Sequence, residues 1–124
     1  MRQKDILKEI LDNLPKVDFK EIYAKELYQR LAKETDSDMK KLLQDKLYSI
    51  QITDEIKAVL VSERVREVAY GLGYGLVINE GKVAYLYNKV CWEQINELDL
   101  KHFLGKAFQK MGADRYMARN VRIA

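Results

Sequence analysis

This chain of 124 residues has one cysteine, one proline, one histidine and one tryptophan, and these scarcities close off several classes of explanation. Cys91 alone cannot form an intramolecular disulfide, so stability has to come from an ordinary core, and such usage fits a reducing compartment. His102 alone cannot supply the several Cys, His or carboxylate ligands of a metal site, and Cys91 is too isolated to complete one. No apolar run approaches the ~20 residues of a membrane-spanning helix. The N-terminal MRQKDILKEI alternates charged with apolar residues instead of presenting the apolar stretch of a signal peptide. The expectation is a soluble, cytoplasmic protein with no cofactor, no metal and no membrane partner.

Charge of one sign is also scarce, because the net charge is only +3, too little by itself to argue for nucleic acid. Its distribution carries more information. Residues 1–50 hold eleven Lys/Arg against ten Asp/Glu, and residues 51–100 hold five against eight. The final stretch carries Lys101, Lys106, Lys110, Arg115, Arg119 and Arg122 against Asp114 alone. A basic end of this kind is a footprint for phosphate, a solvated helix face, or a partner for the acidic middle of the chain.

What is present is apolar periodicity. Hydrophobic residues make up 48% of the chain, enough for one domain of this length to build a core. Ile6, Leu7, Ile10, Leu11 and Leu14 recur at helical spacing, and Pro15 closes that element. Asp18 with Glu21 resembles a capping box that opens a second helix burying Ile22, Tyr23, Leu27 and Leu31. Asp36-Ser37-Asp38 forms a cap cluster before a third helix with Met39, Leu42, Leu43, Leu47 and Ile50 on one face. Thr53-Asp54-Glu55 opens a fourth element with Leu60, Val61, Val65, Val68, Ala69 and Leu72 inward. Its valines leave a strand near its start as an alternative.

The run Gly71-Leu72-Gly73-Tyr74-Gly75 ends the helical half, since glycine closes a helix and redirects the chain. A phosphate loop would need a strand before it, a helix after it and a nearby Lys followed by Ser or Thr, so the run reads as a turn. Three strands follow: Leu76–Ile78, Val83–Tyr87 and Val90–Ile95, joined at Asn79-Glu80-Gly81-Lys82 and Asn88-Lys89. Cys91, beside Trp92 on the third strand, reads as a small buried filler. Asn96 then caps a helix with Leu100, Phe103, Leu104, Ala107, Phe108 and Met111 on one arc and Lys101, His102, Lys106 and Lys110 opposite. Gly112 stops it. Asp114 opens a last helix with Arg115, Arg119 and Arg122 on one face.

The expected fold is therefore α+β in a single domain. It has helices over about residues 2–72, a three-stranded antiparallel meander over about 74–95 and two closing helices over about 97–123. The uncapped end at Ala124 suggests a piece of a longer protein. Pairs such as Glu21/Lys25 and Lys41/Asp45 are spaced for exposed helix faces, worth only ~0.3–0.5 kcal/mol each, and do not suggest acid–base work. Tyr70, Tyr74, Tyr85 and Tyr87 gather around the sheet, where they either pack or stack on bases. The phosphate candidates are Lys106, Lys110, Arg115, Arg119 and Arg122.

One stretch resembles a known family. The hairpin ending VAYLYN, the following VCWEQI, an acidic turn and LKHFLGKAFQKMG are similar to the region before the superfamily 3 helicase core of phage and poxvirus-type primase–helicases. The matching positions are Tyr85, Tyr87, Asn88, Trp92, Phe103, Leu104 and Gly112, and the segment covers about a third of the chain. The order of its elements is distinctive, but no residue in it carries chemistry. The resemblance implies a non-catalytic accessory domain of a phage or mobile-element replication protein, assisting DNA binding or ring assembly beside a helicase domain. Trp92 and the sheet would serve as scaffold. The chain has no Walker loop and no recognisable primase carboxylates, so it would not hydrolyse ATP by itself. The alternative is a protein–protein or homo-oligomerisation module without nucleic-acid contact.

Overall fold

The computed structural model describes residues 2–79 and 83–114. In chain order these form α1 (Gln3–Asp12), α2 (Phe19–Lys33), α3 (Ser37–Tyr48), α4 (Asp54–Gly71), β1 (Gly75–Ile78), β2 (Ala84–Tyr87), β3 (Trp92–Ile95) and α5 (Glu97–Met111). The architecture is α+β, with helices before and after an antiparallel sheet of order β1-β2-β3. The last helix expected from Asp114 onward lies outside the described residues. By packing, the chain divides into two compact units: Val17–Thr53 is one, and the segments Met1–Lys16 and Asp54–Ala124 together form the other.

In the larger unit the helices start and stop where side chains satisfy the backbone. Asn96 Oδ1 accepts from the N–H groups of Leu98 at 2.9 Å and Asp99 at 3.4 Å, which occupies donors that the first turn of α5 would leave unpaired. Gly112 has φ of +100° and closes the helix, with its N–H donating to Gln109 O and the Ala113 N–H donating to Phe108 O at 2.8 Å. The same paired closure recurs after α4. Gly73 has φ of +89°, and Gly73 and Tyr74 donate to Tyr70 O and Ala69 O. Only glycine enters that backbone region without a Cβ penalty.

The element at Asp54 is helical from its first residue. Ala58, Val61, Val65 and Ala69 recur every three or four positions and are all buried, so its valines follow the 3.6-residue period, not the strand period of 2. Within it the buried Ser62 hydroxyl donates to Ala58 O at 2.7 Å, which removes the cost of burying a polar group there. All six apolar residues expected on α5 are buried, and they share this core with Ile6, Leu7 and Ile10 of α1 and one face of the sheet. That face is formed by Leu76, Ile78, Ala84, Leu86 and Ile95.

Long-range bonds hold α1 in this unit, among them one from the Tyr74 hydroxyl to Glu9. Gln3 Nε2 donates to Gln94 O on the edge strand β3 at 3.1 Å. The Lys110 ammonium donates to Leu11 O in the last turn of α1, where a cation also opposes the negative end of the helix dipole.

The smaller unit is a helical hairpin in which α2 packs on α3. Asp18 Oδ1 accepts from Lys20 N and Glu21 N, and Asp36 Oδ1 accepts from Asp38 N and Met39 N. Phe19, Leu27 and Leu43 are buried. Ile22, Tyr23 and Leu31, expected inward, are only half-buried, and Met39 and Leu42 are exposed. Helical spacing identifies a common face, but it does not say how much of that face a neighbour covers.

Candidate functional site

Strand alternation puts the residues opposite the core on an open face. The register aligns Gly75, Tyr87 and Trp92 in one row across the three strands, and Val77, Tyr85 and Gln94 in the next. Trp92 and Tyr87 approach at 5.4 Å between ring centroids, tilted by 42°. The indole reaches on across β2 to β1. A Cβ added to Gly75 would stand 2.8 Å from Trp92 Cη2 and 3.2 Å from Tyr87 Cβ. Glycine at 75 therefore supplies space; Gly73 supplies a backbone angle as well, since an added Cβ there would stand 2.9 Å from Lys89 Cε at a φ of +89°.

Trp92 is nonetheless 53% exposed. It lies on the open face of the sheet, because its row faces away from Leu86 and Ile95. A groove of about 850 Å³ opens on this side. Arg66, Glu67 and Tyr70 from the end of α4 form one wall, Trp92 and Tyr87 line the sheet side, and Gly73, Gly75 and Val77 contribute the backbone between them. Tyr70 is 80% exposed.

The tyrosines gathered by the sequence thus have different environments. Tyr85 and Tyr70 are exposed, Tyr87 is half-buried, and Tyr74 is buried. The Tyr74 hydroxyl donates to Glu9 Oε2 at 2.9 Å, joining the turn after α4 to α1. That bond, with burial and the nearby Glu9 charge as smaller causes, raises the Tyr74 pKa above its ordinary value of 10.0. The Lys89 ammonium sits 4.7 Å from the centre of the Tyr74 ring, within cation–π range.

Lys89 is placed by a tight turn. Asn88 Oδ1 accepts from Val90 N and Cys91 N, each at 2.9 Å, Asn88 N donates to Cys91 O, and Lys89 has φ of +78°. The Asn88 side chain thereby takes the N–H groups that an earlier strand start would offer to β2. For that reason β3 begins at Trp92, not Val90, and Cys91 is an exposed turn residue instead of a buried filler.

The basic candidates are divided as well. Lys106 and Lys110 are exposed on α5, Lys110 is engaged with Leu11 O, and neither lines the groove. Arg115, Arg119 and Arg122 lie outside the described residues. His102 is exposed on α5, and among the described residues no three His, Cys, Asp or Glu side chains gather as a metal site. Sequence reasoning missed Arg66 and Gly75. The signal for the groove was the phase of β3, in which Trp92 shares a face with Tyr87 and Gly75 once the two hairpin registers are known.

No known protein family, curated protein or solved structure matches this chain.

Proposed function

We propose that this chain is a non-catalytic accessory domain that binds nucleic acid through the groove beside Trp92. The setting beside a replication helicase follows only from the sequence resemblance. The observation that carries the reading is an open groove walled by aromatic rings from two elements and edged by cations. Arg66 lines it, Lys89 stands over the ring of Tyr74, and the lining carboxylate Glu67 lies 3.3 Å from Arg64. Aromatic faces with adjacent cations suit a partner that presents both π-faces and phosphate.

Binding of labelled oligonucleotides at several salt concentrations tests this directly. Three neutralised phosphates give a log–log slope of about −2 to −3. A slope near zero, or no binding at low salt, removes the reading. On α5, Lys106 adds a separate contact of lower weight, and the same experiment with Lys106→Glu measures it.

A second reading is favoured by a different observation. Tyr28, Met39, Leu42 and Tyr48 of the α2–α3 hairpin are exposed, Tyr48 at 95%. Apolar surface of this kind suits a protein partner or self-assembly. Light scattering on the purified chain distinguishes it, because an oligomer indifferent to nucleic acid supports this reading over the first.

A further inference from the structure

We infer that the groove takes unpaired bases of a single strand, one of them stacked on the exposed indole of Trp92, and that it rejects duplex. This rests on the nucleic-acid reading and specifies the substrate class. The argument begins with Gly75. The indole lies in the space that any side chain at 75 would fill, and Tyr87 supports it from the same row. Trp92 is therefore held against the sheet at the outer end of its indole while 53% of the residue remains open to solvent. Tyr70 reaches the same groove from the end of α4.

The groove is lined by four aromatic residues and three glycines, with Arg66 and Glu67 as its charged side chains. A base inside a duplex has both faces covered by its neighbours and offers only its edges. An unpaired base offers a face, and stacking on an aromatic side chain accepts any base because every base has one. The volume, about 850 Å³, falls within the ~300–1,000 Å³ of sites that enclose small organic groups. Arg66 within the groove and Lys89 beside it complement the phosphates that accompany such a base.

The test uses the full 124-residue chain, whose only tryptophan makes intrinsic emission a reporter of this site. Oligothymidylate is expected to quench Trp92 emission in a salt-dependent manner, and a hairpin duplex of matched length is expected to leave it unchanged. Trp92→Ala, followed by anisotropy of a labelled strand, is expected to weaken binding about 5- to 150-fold, the range of one aromatic–base stack. Tyr70→Ala, at a site too exposed to affect folding, is expected to weaken binding while leaving the emission reporter in place. Equal binding of duplex, or strand binding with unaltered emission and no effect of either variant, overturns the inference while leaving nucleic-acid binding intact. Absence of binding to both probes removes the underlying reading instead. Emission that shifts with protein concentration alone identifies a second copy as the occupant and overturns it too.

Discussion

The indole of Trp92 occupies the place that a side chain on Gly75 would take, with Cη2 only 2.8 Å from where that Cβ would stand. Gly75 is in β1 and Trp92 in β3, so the relation spans the whole sheet and depends on both registers. Gly75→Ala is expected to displace the indole with little net change in stability, within about 1 kcal/mol. The displaced atom is the outer end of a side chain, and Ala suits a strand better than Gly. Near-ultraviolet circular dichroism should change while the urea midpoint moves little. An unaltered aromatic spectrum would show that the indole does not rest there.

Gly112 should behave differently, because its requirement is an angle. Its φ of +100° puts an L-residue in a region costing roughly 1–2 kcal/mol. Gly112→Ala is expected to lower stability by about that amount in urea unfolding, with the fold retained. A change within error would mean that α5 closes in another way.

The Tyr74–Glu9 bond has a pH signature. The folded-state pKa of Tyr74 is raised above 10.0, chiefly because its hydroxyl donates to Glu9. The native state therefore favours the protonated phenol. This stabilisation is fully present below pH 10 and is lost as pH rises through the higher folded value. Stability of the native chain should fall with alkaline pH, and Tyr74→Phe should make that fall shallower. Denaturation midpoints measured from neutral pH to above 10 provide the check, and parallel curves for the two proteins would refute the assignment.

Lys106 and Lys110 are one helical turn apart on α5 yet should respond unequally in stability. Lys110→Ala removes the bond to Leu11 O and should cost on the order of 1 kcal/mol. Lys106→Ala should fall within about ±0.5 kcal/mol, the usual range for an exposed side chain without such a bond. Thermal unfolding of the two variants compares them, and equal midpoints would reduce the α1–α5 bond to a surface contact without energetic weight.

Phe108 measures the core that these contacts surround. It is fully buried on α5, the helix that packs against α1 and α4, and Phe108→Ala should cost about 3–5 kcal/mol through lost burial and the cavity left behind. A loss below 1 kcal/mol in urea unfolding would mean that the site collapses around the smaller side chain.

Local chemistry was the legible part of this fold. Asp18, Asp36 and Asn96 cap helices, and Gly73 and Gly112 end them, because each acts on backbone groups within a few residues. The six apolar positions of α5 were readable because one face of a long helix repeats four times. Val90 and Cys91 were not readable. Two competing demands meet there: strand-forming side chains, and the Asn88 carboxamide that takes the backbone donors of Val90 and Cys91. Met39 and Leu42 show the other limit, since periodicity does not report what lies across from a helix face. The groove depended on both hairpin registers at once, and sequence alone supplied turn positions without the pairing of Gly75 with Tyr87 and Tyr87 with Trp92.

The bonds from Gln3 to Gln94 and from Lys110 to Leu11 join residues 91 and 99 positions apart. During synthesis the first cannot form until the chain has been made through β3, and the second not until most of α5 has followed. Helix α1 therefore waits, while α2 and α3 have the local partners to pair early. Closing so long a loop slows a folding reaction more than it weakens the final state. A refolding experiment should accordingly find α1 docking late, with Leu7 and Ile10 giving low φ-values and Phe108 a higher one.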